Sequence, residues 1–362
     1  MENNELNVTN APEAAAKRNA FEMTLADWER FVQEELDMPR YTADQLCQWI
    51  YKKKVFDFRA MTNLSKALRE RLPELLEIRL PKLAKRQVAA DGTRKYLWRL
   101  DDGEYVESVL MDHGNHYTAC ISSQVGCPLR CEFCATGQQG FKRNLSAGEI
   151  VSHFAAMESD VGHDINNVVF MGMGEPLLNL KNVMRALESL NNDKGLNFSP
   201  RRITVSTCGI EKGLRELGES GLAYLAVSLH APTQELRARI MPKAARWPLE
   251  DLLQALKSYP LKTRERITFE YLLLGGVNDG LEQARQLARV VSDVKGKLNL
   301  IVYNPSEGDP YKAPSPERVL AFEQYLWDRN ITAIIRKSKG QDIKAACGQL
   351  KAARQNEAGE EA

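Results

Sequence analysis

Three cysteines lie within one short stretch of the chain, at Cys127, Cys131 and Cys134. Close-spaced cysteine runs hold iron–sulfur clusters through their thiolates. A structural zinc ion instead takes a closed shell of four ligands, usually cysteine or histidine. Three thiolates leave one iron of a [4Fe–4S] cluster without a protein ligand, and an open metal position is where a reacting molecule can bind. The alternative is a zinc site that borrows a distant fourth ligand, such as His116 or Cys120.

A second polar motif follows a strand-like run further along the chain. Residues 170–176 place Gly172 and Gly174 ahead of Glu175 and a proline. Glycine lets a backbone approach a ligand closely and adopt positive φ. Together with the cysteine run, this pattern resembles the radical S-adenosylmethionine (SAM) superfamily, in which SAM chelates the fourth iron through its amino and carboxylate groups. The resemblance implies that Gly174 and Glu175 contact the ammonium group of SAM, whereas a plain strand-to-helix turn is the alternative.

Further candidate residues, all but one of them polar, stand at the ends of later strand-like runs. They are Ser206, then Ser228, Leu229 and His230 in sequence, and finally Asn304. We predict that they bind SAM around its ribose or carboxylate. Taken singly, each is equally compatible with a strand-end hydroxyl, a satisfied imidazole or a turn residue before proline.

Strand-like and helical patterns alternate from about residue 117 onward. Strands are predicted over 117–123, 167–171, 202–207, 224–229, 267–274, 297–303 and 332–336, with helices in the gaps, for example over 147–157, 180–190, 249–259, 281–291 and 316–329. This alternation predicts an α/β fold with a parallel sheet and helices outside it, a partial (βα)6-type barrel. Functional residues of such barrels lie at the carboxyl ends of the strands, where the polar motifs fall.

The remaining segments predict appendages to this barrel. Residues 22–80 carry apolar residues at helical spacing, including Leu25, Trp28 and Phe31, and predict a helical accessory domain that binds RNA. Residues 81–116 contain strand-like runs separated by turn signals at 91–92 and 101–103, and predict a small β-rich connector. The barrel and its C-terminal cysteine loop are expected over 117–350. Residues 1–21 and the acidic stretch 351–362 are expected to be disordered tails.

The bulk composition is that of an ordinary globular protein. The 362 residues are 43% hydrophobic and 27% charged, and the net charge is +1. No run approaches the ~20 apolar residues of a membrane span and no secretory signal is visible, so we expect a cytoplasmic protein without membrane association. Seven cysteines do not fit a secreted disulfide framework. Basic residues cluster at 52–54, 82–86, 201–202 and 336–339, and such clusters can neutralise RNA phosphates.

From about residue 22 to residue 352 the sequence resembles the bacterial RlmN family of dual-specificity 23S rRNA and tRNA adenine-C2 methyltransferases. The matching segments are 105–110, 120–134, 138–145, 171–178, 228–232, 270–279 and 345–350. The resemblance implies a [4Fe–4S] cluster on Cys127, Cys131 and Cys134, and SAM as the second cofactor, used twice per turnover. It also implies 23S rRNA and tRNA as partners, with a low-potential electron donor of the flavodoxin or ferredoxin type.

The same resemblance implies covalent thiol chemistry. Cys347 would accept a methyl group from one SAM and, after a second SAM has supplied a radical, pass its carbon to C2 of adenine. Cys120 would release the product through a transient disulfide with Cys347. Glu107 would accept the C2 proton, and a solvent-facing strand glutamate is the alternative for it. Cys47 and Cys208 match no family role and are predicted to be structural.

Three other functions stay open at this point. A Cfr-like C8 adenosine 23S rRNA methyltransferase would share the cluster and both thiols. A radical SAM enzyme acting on a small molecule or peptide would require neither Cys347 nor the helical domain, and a zinc-containing RNA-binding or ribosome-assembly protein would hold no iron. The sequence departs from the family pattern at 302–303, at 243–246 and at Gln341, which bears on RNA preference more than on cofactor binding.

Overall fold

The structure, a computed structural model, describes residues 17–305 and 308–352. No helix in these ranges is both long enough and apolar enough to cross a bilayer. The strands are β1 (Arg18–Asn19), β2 (Leu76–Glu77), β3 (Lys82–Val88), β4 (Arg94–Arg99), β5 (Tyr105–Asp112), β6 (Tyr117–Cys120), β7 (Gln124–Gly126), β8 (Phe141–Asn144), β9 (Asn167–Phe170), β10 (Ile203–Thr207), β11 (Tyr224–Ser228), β12 (Ile267–Leu273), β13 (Gly296–Val302) and β14 (Ala333–Arg336). The α-helices are α1 (Leu25–Arg30), α2 (Tyr41–Cys47), α3 (Lys66–Leu75), α4 (Ala135–Gln139), α5 (Ala147–Val161), α6 (Leu180–Asn191), α7 (Glu211–Ser220), α8 (Gln234–Ile240), α9 (Leu249–Lys257), α10 (Leu281–Val291) and α11 (Pro316–Trp327).

The parallel strands form an open barrel. Their order is β6-β9-β10-β11-β12-β13-β14, and helices follow each of the first six strands, which gives six βα units. Within the described residues β14 and β6 do not pair, so the barrel stays open between them. Apolar side chains of the strands pack against the apolar faces of the helices, with Phe269 on β12 and Phe322 on α11 fully buried. The predicted partial (βα)6 barrel is confirmed.

The predicted connector extends the barrel sheet instead of standing apart from it. β3, β4 and β5 pair antiparallel, and β5 pairs with β6 with Val109 opposite Cys120. Gly92 and Gly103, each with φ of 81°, make the tight turns that the sequence indicates. The result is one ten-stranded sheet, which places β5 beside the barrel strand that leads to the cysteine run.

The N-terminal helical region begins earlier than predicted. β1 and β2 pair in parallel and bring the two ends of the region together. Ala20 and Phe21 are fully buried, so the expectation of a disordered tail as far as residue 21 is wrong for its last residues. α1 begins with a capping box in which Thr24 and Asp27 satisfy each other's backbone N–H groups. Residues 1–16 lie outside the described residues.

The helical region is fixed to the helices outside the barrel. Arg185 on α6 forms an ion pair with Asp27 at 2.7 Å. The Asn192 amide donates to the buried Cys47 sulfur at 3.5 Å, and burial raises the pKa of this thiol to about 12. Cys47 therefore lies between the accessory region and the barrel, in a packing position.

After β14 the chain folds back toward the connector. Two residues of the β3–β4 turn, Ala90 and Asp91, bind it there. The Gly340 N–H donates to Asp91 at 3.2 Å, and the Ala90 N–H donates to Asp342 at 2.9 Å. Ala352 is buried, so the disordered tail expected from residue 351 starts at least two residues too early. Residues 353–362 lie outside the described part of the chain.

Candidate active site

One cavity at the carboxyl ends of the barrel strands gathers most of the predicted site residues. Its empty volume, including the open mouth, is about 930 Å³. The predicted residues that line it are Cys127, Cys131, Cys134, Gly174, Glu175, Ser206, Ser228, His230 and Cys347. The predicted residues outside the lining are Glu107, Cys120, Leu229 and Asn304.

The three clustered cysteines lie between β7 and α4, on a loop folded by its own backbone. Gly126 has φ of 75°, and a Cβ there would lie 1.8 Å from the Gly140 carbonyl oxygen, so no other residue fits without a shift. The Cys127 N–H donates to that carbonyl at 2.8 Å. The Cys134 N–H donates to the Cys131 carbonyl at 3.1 Å. These contacts hold the loop so that all three cysteines face the cavity.

The thiol set fits an iron–sulfur cluster. Burial raises the pKa of each thiol, that of Cys127 to about 12, so thiolates here need compensating positive charge, which bound iron supplies. In residues 17–305 and 308–352, no three His, Cys, Asp or Glu side chains converge closely enough to hold a single metal ion. A cluster needs no such convergence, because each thiolate binds a different iron at its own corner.

Gly172 and Gly174 pack against the segment that leads to the cluster loop. A Cβ on Gly172 would lie 2.7 Å from the Ile121 carbonyl oxygen, and one on Gly174 would lie 2.8 Å from the Gln124 backbone nitrogen. Sequence reasoning assigned these glycines to close approach of a ligand. Their observed packing adds a second reason, because they also bring the loop bearing Glu175 against the segment at 121–124.

Glu175 is buried and held by backbone donors. Its Oε1 accepts from the Leu177 N–H at 3.0 Å and its Oε2 from the Cys208 N–H at 2.9 Å. Burial raises the pKa of the Glu175 carboxyl, and these hydrogen bonds oppose the rise. The Thr207 and Cys208 side chains also hydrogen-bond to this carboxyl, so an ammonium group in the cavity would share its oxygens with these donors. The Cys208 side chain also lines the cavity.

The rim on β10 and β11 supplies hydroxyls and one imidazole. The Ser206 and Ser228 hydroxyl oxygens lie 3.5 Å apart. His230 Nδ1 accepts from the Leu272 N–H at 3.0 Å, and burial lowers the pKa of His230 to about 3. The ring is therefore neutral and carries its proton on Nε2, because Nδ1 is already an acceptor. The packing of Phe133 against the ring, 5.0 Å between centroids, fixes its orientation.

Leu229 and Asn304 lie outside the cavity lining. Leu229 is fully buried, and its N–H donates to the Glu270 carbonyl at 3.1 Å. The Asn304 amide donates to the Ser338 hydroxyl at 2.9 Å, and its carbonyl accepts from Gln349 at 3.1 Å. Asn304 thus joins the end of β13 to the segment that carries Cys347. Direct contact of these two residues with SAM stays a prediction.

The two remaining predicted thiols lie near each other. Cys347 is exposed at the cavity, whereas Cys120 is buried at the end of β6. Burial raises the pKa of the Cys120 thiol to about 12, with a further contribution from Cys347 and an opposing one from the Arg336 charge. All seven cysteines of the chain are free thiols in this structure.

Glu107 is buried on β5, so the interpretation of a solvent-facing strand glutamate is wrong. Its Oε2 accepts from the Lys351 N–H at 2.8 Å. Its Oε1 lies 3.4 Å from Lys95 Nζ. The carboxylate therefore anchors the backbone shortly after Cys347, a contact that the sequence did not indicate.

Two further bonds hold the other side of this segment on the cluster loop. The Ala135 N–H donates to the Gly348 carbonyl at 2.7 Å. The Thr136 hydroxyl donates to the Leu350 carbonyl at 2.6 Å. The segment that carries Cys347 is thus fixed between the start of α4 and β5.

Sequence reasoning missed two charged residues of the cavity, Glu270 and Arg336. Glu270 interrupts the apolar run of β12, and the residues before and after it are buried. A charged residue between buried neighbours on a barrel strand could have indicated a site residue from the sequence. Arg336 was grouped with the RNA-binding cluster at 336–339, and its place in the cavity corrects that grouping. Among the other clusters, Lys54 pairs with Asp164 at 2.9 Å and so neutralises a carboxylate of the chain itself.

Comparisons with known proteins identify the family of the chain. The profile of the Radical SAM superfamily matches residues 121–288, and that of the ribosomal RNA large subunit methyltransferase N-terminal domain matches residues 18–78. A dual-specificity RNA methyltransferase RlmN of Nitratidesulfovibrio vulgaris (strain DP4) is 62% identical over 341 residues, which cover 91% of this chain and 94% of the relative. The chain belongs to the RlmN family. The RlmN of Lawsonia intracellularis is 52% identical over 344 residues, 92% of this chain and 96% of its own.

A solved structure gives the same result for the fold. The crystal structure of a radical SAM methyltransferase from Sphaerobacter thermophilus matches with a TM-score of 0.87 at 41% identity, covering 93% of this chain and 100% of that one. As an RlmN family member, the chain is a radical SAM RNA methyltransferase whose cofactors are a [4Fe–4S] cluster and SAM. The RlmN matches disfavour the Cfr-like alternative.

Proposed function

We propose that the protein methylates C2 of adenosine in the peptidyl-transferase region of 23S rRNA and in the anticodon loop of tRNA. The main support is that Cys347 opens onto the same cavity as the three clustered cysteines, with Cys120 nearby. Adenine C2 lies between two ring nitrogens and has no lone pair, so it cannot displace the methyl group of SAM directly. A thiol that first takes the methyl group and then presents its carbon to C2 avoids this difficulty.

The cavity residues bind and orient SAM in this proposal. The cluster on the three cysteines supplies the electron that cleaves SAM and yields a carbon-centred radical. Glu175 accepts hydrogen bonds from the ammonium group of SAM, and the hydroxyls of Ser206 and Ser228 bind its polar atoms. His230 donates its Nε2–H into the cavity as a neutral ring, so it adds no charge near the cluster.

The two thiols carry out the transfer. The Cys347 sulfur, after losing its proton, attacks the methyl carbon of one SAM; the new sulfur–carbon bond forms as S-adenosylhomocysteine leaves. After hydrogen abstraction from that methyl group, its carbon radical bonds to C2. The adduct then loses the C2 proton to Glu107 and one electron, which the oxidised cluster would take up. The Cys120 thiolate then attacks the Cys347 sulfur. A disulfide forms, the sulfur–carbon bond breaks, and the carbon keeps the electron pair and takes a proton to become the product methyl group.

The RNA must present an unstacked base to this cavity. Extruding a base costs a few kcal/mol, and least for a base already in a loop, which suits an anticodon loop. The helical region at 18–77 and exposed basic residues such as Lys82 and Lys85 on β3 contact the RNA outside the cavity. A flavodoxin- or ferredoxin-type donor reduces the cluster, and the protein works in the cytoplasm.

The decisive experiment is an anaerobic incubation with methyl-labelled SAM, dithionite and unmodified 23S rRNA or tRNA, followed by digestion and mass spectrometry. We expect labelled 2-methyladenosine from both RNAs. Labelled 8-methyladenosine would establish the Cfr-like reaction instead. SAM cleavage without label in either RNA would contradict the proposal and favour a small-molecule or peptide substrate.

A substitution tests the thiol order separately. Cys120→Ala should accumulate protein covalently joined to RNA, because adduct formation precedes the attack by Cys120. Denaturing gels before and after nuclease treatment measure this species. Normal product release by Cys120→Ala would show that another group resolves the adduct.

A further inference from the structure

Glu270 is a buried carboxylate with one oxygen left unbonded at the cavity. It lies on β12 opposite Ser228 and is 3% exposed. Its Oε1 accepts from the Asn299 amide at 3.0 Å, whereas its Oε2 has no hydrogen-bond partner. Buried polar atoms are nearly always hydrogen-bonded, so an orphan oxygen on a cavity wall indicates that a ligand donor binds there.

Arg336 supplies donors to the same cavity. It ends β14 opposite Ile301. In the part of the chain that the structure describes, the guanidinium forms no ion pair, and its hydrogen bonding is limited to a weak contact from Nη1 to the Met171 sulfur at 3.6 Å. A guanidinium has five N–H donors, so most of its capacity is unused. Arg336, Glu270 and Cys347 line the same cavity, and the charges of Glu270, Cys347 and Cys120 act on the guanidinium.

A free acceptor and free donors on one cavity wall define the ligand chemistry. Adenine is complementary to this arrangement, because its N6 amino group donates and the neighbouring ring nitrogen N1 accepts along the Watson–Crick edge. Enzymes that modify an extruded base commonly read it by hydrogen bonds to that edge. The surrounding cavity wall is apolar, with Phe170, Leu272 and Ile301 available to contact the faces of the ring.

We propose that Glu270 and Arg336 bind the target adenine, with Glu270 accepting from N6 and Arg336 donating to N1. This inference rests on the proposed C2 methylation. C2 is bonded to N1, and C2 must come within bonding distance of the carbon on Cys347. A guanidinium on the same cavity wall as Cys347 is therefore placed to hold N1. Of the predicted SAM contacts, Glu175 and Ser206 come from the β9 and β10 side, whereas Ser228 lies opposite Glu270, so the test must separate the target adenine from the adenine of SAM. A cationic donor at N1 also withdraws electron density from C2, which favours addition of a carbon radical.

The test pairs single-atom changes in the RNA with substitutions in the full-length, cluster-loaded enzyme. The RNA is the shortest fragment that the wild type methylates, with the target adenosine replaced by purine riboside, which lacks N6, or by 1-deazaadenosine, which lacks N1. The variants are Glu270→Gln and Arg336→Gln. Glu158→Gln is the matched control, because Glu158 is a buried carboxylate on α5 that accepts from the Ile165 N–H at 3.0 Å and does not line the cavity.

Loss of one charge-assisted hydrogen bond should lower kcat/KM for RNA methylation about 10- to 100-fold. Replacing the target adenosine by purine riboside should lower kcat/KM by this factor in the wild type. It should lower kcat/KM much less in Glu270→Gln, because that variant has already lost the hydrogen bond to N6. In the same way, 1-deazaadenosine should lower kcat/KM in the wild type by this factor and much less in Arg336→Gln, which has already lost the hydrogen bond to N1. Methylation of Cys347 without RNA, followed by the mass of its peptide, should fall less than RNA methylation in both variants, because it needs no contact with the target adenine.

Three outcomes would overturn the proposal. Equal costs of the RNA change in wild type and variant would show that the side chain does not touch the altered atom. Equal loss of Cys347 methylation and of RNA methylation in a variant would assign the pair to the adenine of SAM. Equal kcat/KM of the wild type for adenosine and purine riboside would exclude the contact to N6. This outcome needs only the wild-type enzyme, so it stands even if a variant fails to load its cluster. Absence of methyladenosine from unmodified RNA with the wild type would instead contradict the proposed function itself.

Discussion

Replacing Glu107 separates two roles for one carboxylate. The family resemblance makes it the acceptor of the C2 proton, and the structure shows it binding the Lys351 N–H at 2.8 Å. Glu107→Gln keeps an oxygen that can accept from Lys351 but cannot take up a proton under ordinary conditions. Glu107→Ala removes both the proton acceptor and the anchor. Lys95→Met is the matched control, because it removes the 3.4 Å ion pair to Glu107 and the 3.4 Å hydrogen bond to the Lys344 carbonyl but leaves the bond from Lys351 to Glu107 in place.

The size of the anchoring effect follows from the contacts. A hydrogen bond to a buried charged group contributes about 1.5–3 kcal/mol, which corresponds to a roughly 10- to 100-fold change in an equilibrium. Glu107→Ala should therefore shift the segment that carries Cys347 toward an undocked state by that factor. The bonds from Ala135 to Gly348 and from Thr136 to Leu350 remain, so docking is weakened and not abolished.

The assay follows two products, S-methylated Cys347 in the absence of RNA and 2-methyladenosine in its presence. Glu107→Ala should slow both. Glu107→Gln should keep Cys347 methylation close to that of the Lys95→Met control and lose 2-methyladenosine. Wild-type Cys347 methylation in Glu107→Ala would refute the anchoring argument, and normal 2-methyladenosine formation by Glu107→Gln would refute the proton-acceptor role.

Three other perturbations have defined outcomes. Cys134→Ala should leave anaerobically purified protein without its normal iron and sulfide content and without SAM cleavage, and retained iron with activity would contradict the ligand assignment. Gly126→Ala puts a Cβ 1.8 Å from a carbonyl oxygen at φ of 75°, so thermal unfolding should show a loss of stability of a few kcal/mol, and the protein should retain less cluster. Gly114→Ala is the control, because Gly114 has φ of 82° with no atom within 4 Å, and it should lose only the ~1 kcal/mol of backbone strain. Equal losses of stability in the two variants would refute the clash at Gly126. His153 is buried, with its Nε2 accepting from the Ser122 N–H at 3.3 Å, and burial lowers its pKa from 6.5 to about 4. On acidification the unfolded chain therefore takes up a proton on His153 at a higher pH than the folded protein does. The free energy of unfolding is thus unaffected by His153 above pH 6.5 and falls between pH 6.5 and pH 4 by about 1.4 kcal/mol per pH unit. His153→Gln should flatten the dependence of Tm on pH in this window, and an unchanged slope would contradict the assignment.

The sequence predicted those parts of the site that local pattern determines. The spacing of Cys127, Cys131 and Cys134 indicates a three-thiolate loop without any knowledge of the fold. Strand–helix alternation predicts the barrel, and the barrel rule places Ser206 and His230 at the same rim. Each of these inferences uses neighbours close in sequence, and each is matched by the observed elements and cavity lining.

The rest depends on contacts between residues far apart in sequence. Arg336 lies in a basic stretch, and only the position of β14 turns it into the cavity while the next residue, Lys337, is exposed. Glu107 has no distinguishing local pattern, because its contact with the Lys351 N–H forms only in the folded chain. Likewise, the packing of Gly172 on Ile121 cannot be inferred from a glycine motif, because it requires β6 and β9 to be adjacent.

The order in which the cavity wall is synthesised has a consequence for cluster delivery. Thr136 and Leu350, which hydrogen-bond to each other, are separated by 214 residues of chain. At about 5–20 residues per second, translation leaves the cluster loop without its C-terminal wall for roughly ten to forty seconds. During that interval the three thiols face an unfinished cavity, so an iron–sulfur cluster has access before the site closes. In a finished chain a replacement cluster would meet the docked segment around Gly348, so we expect repair to be slower than first loading.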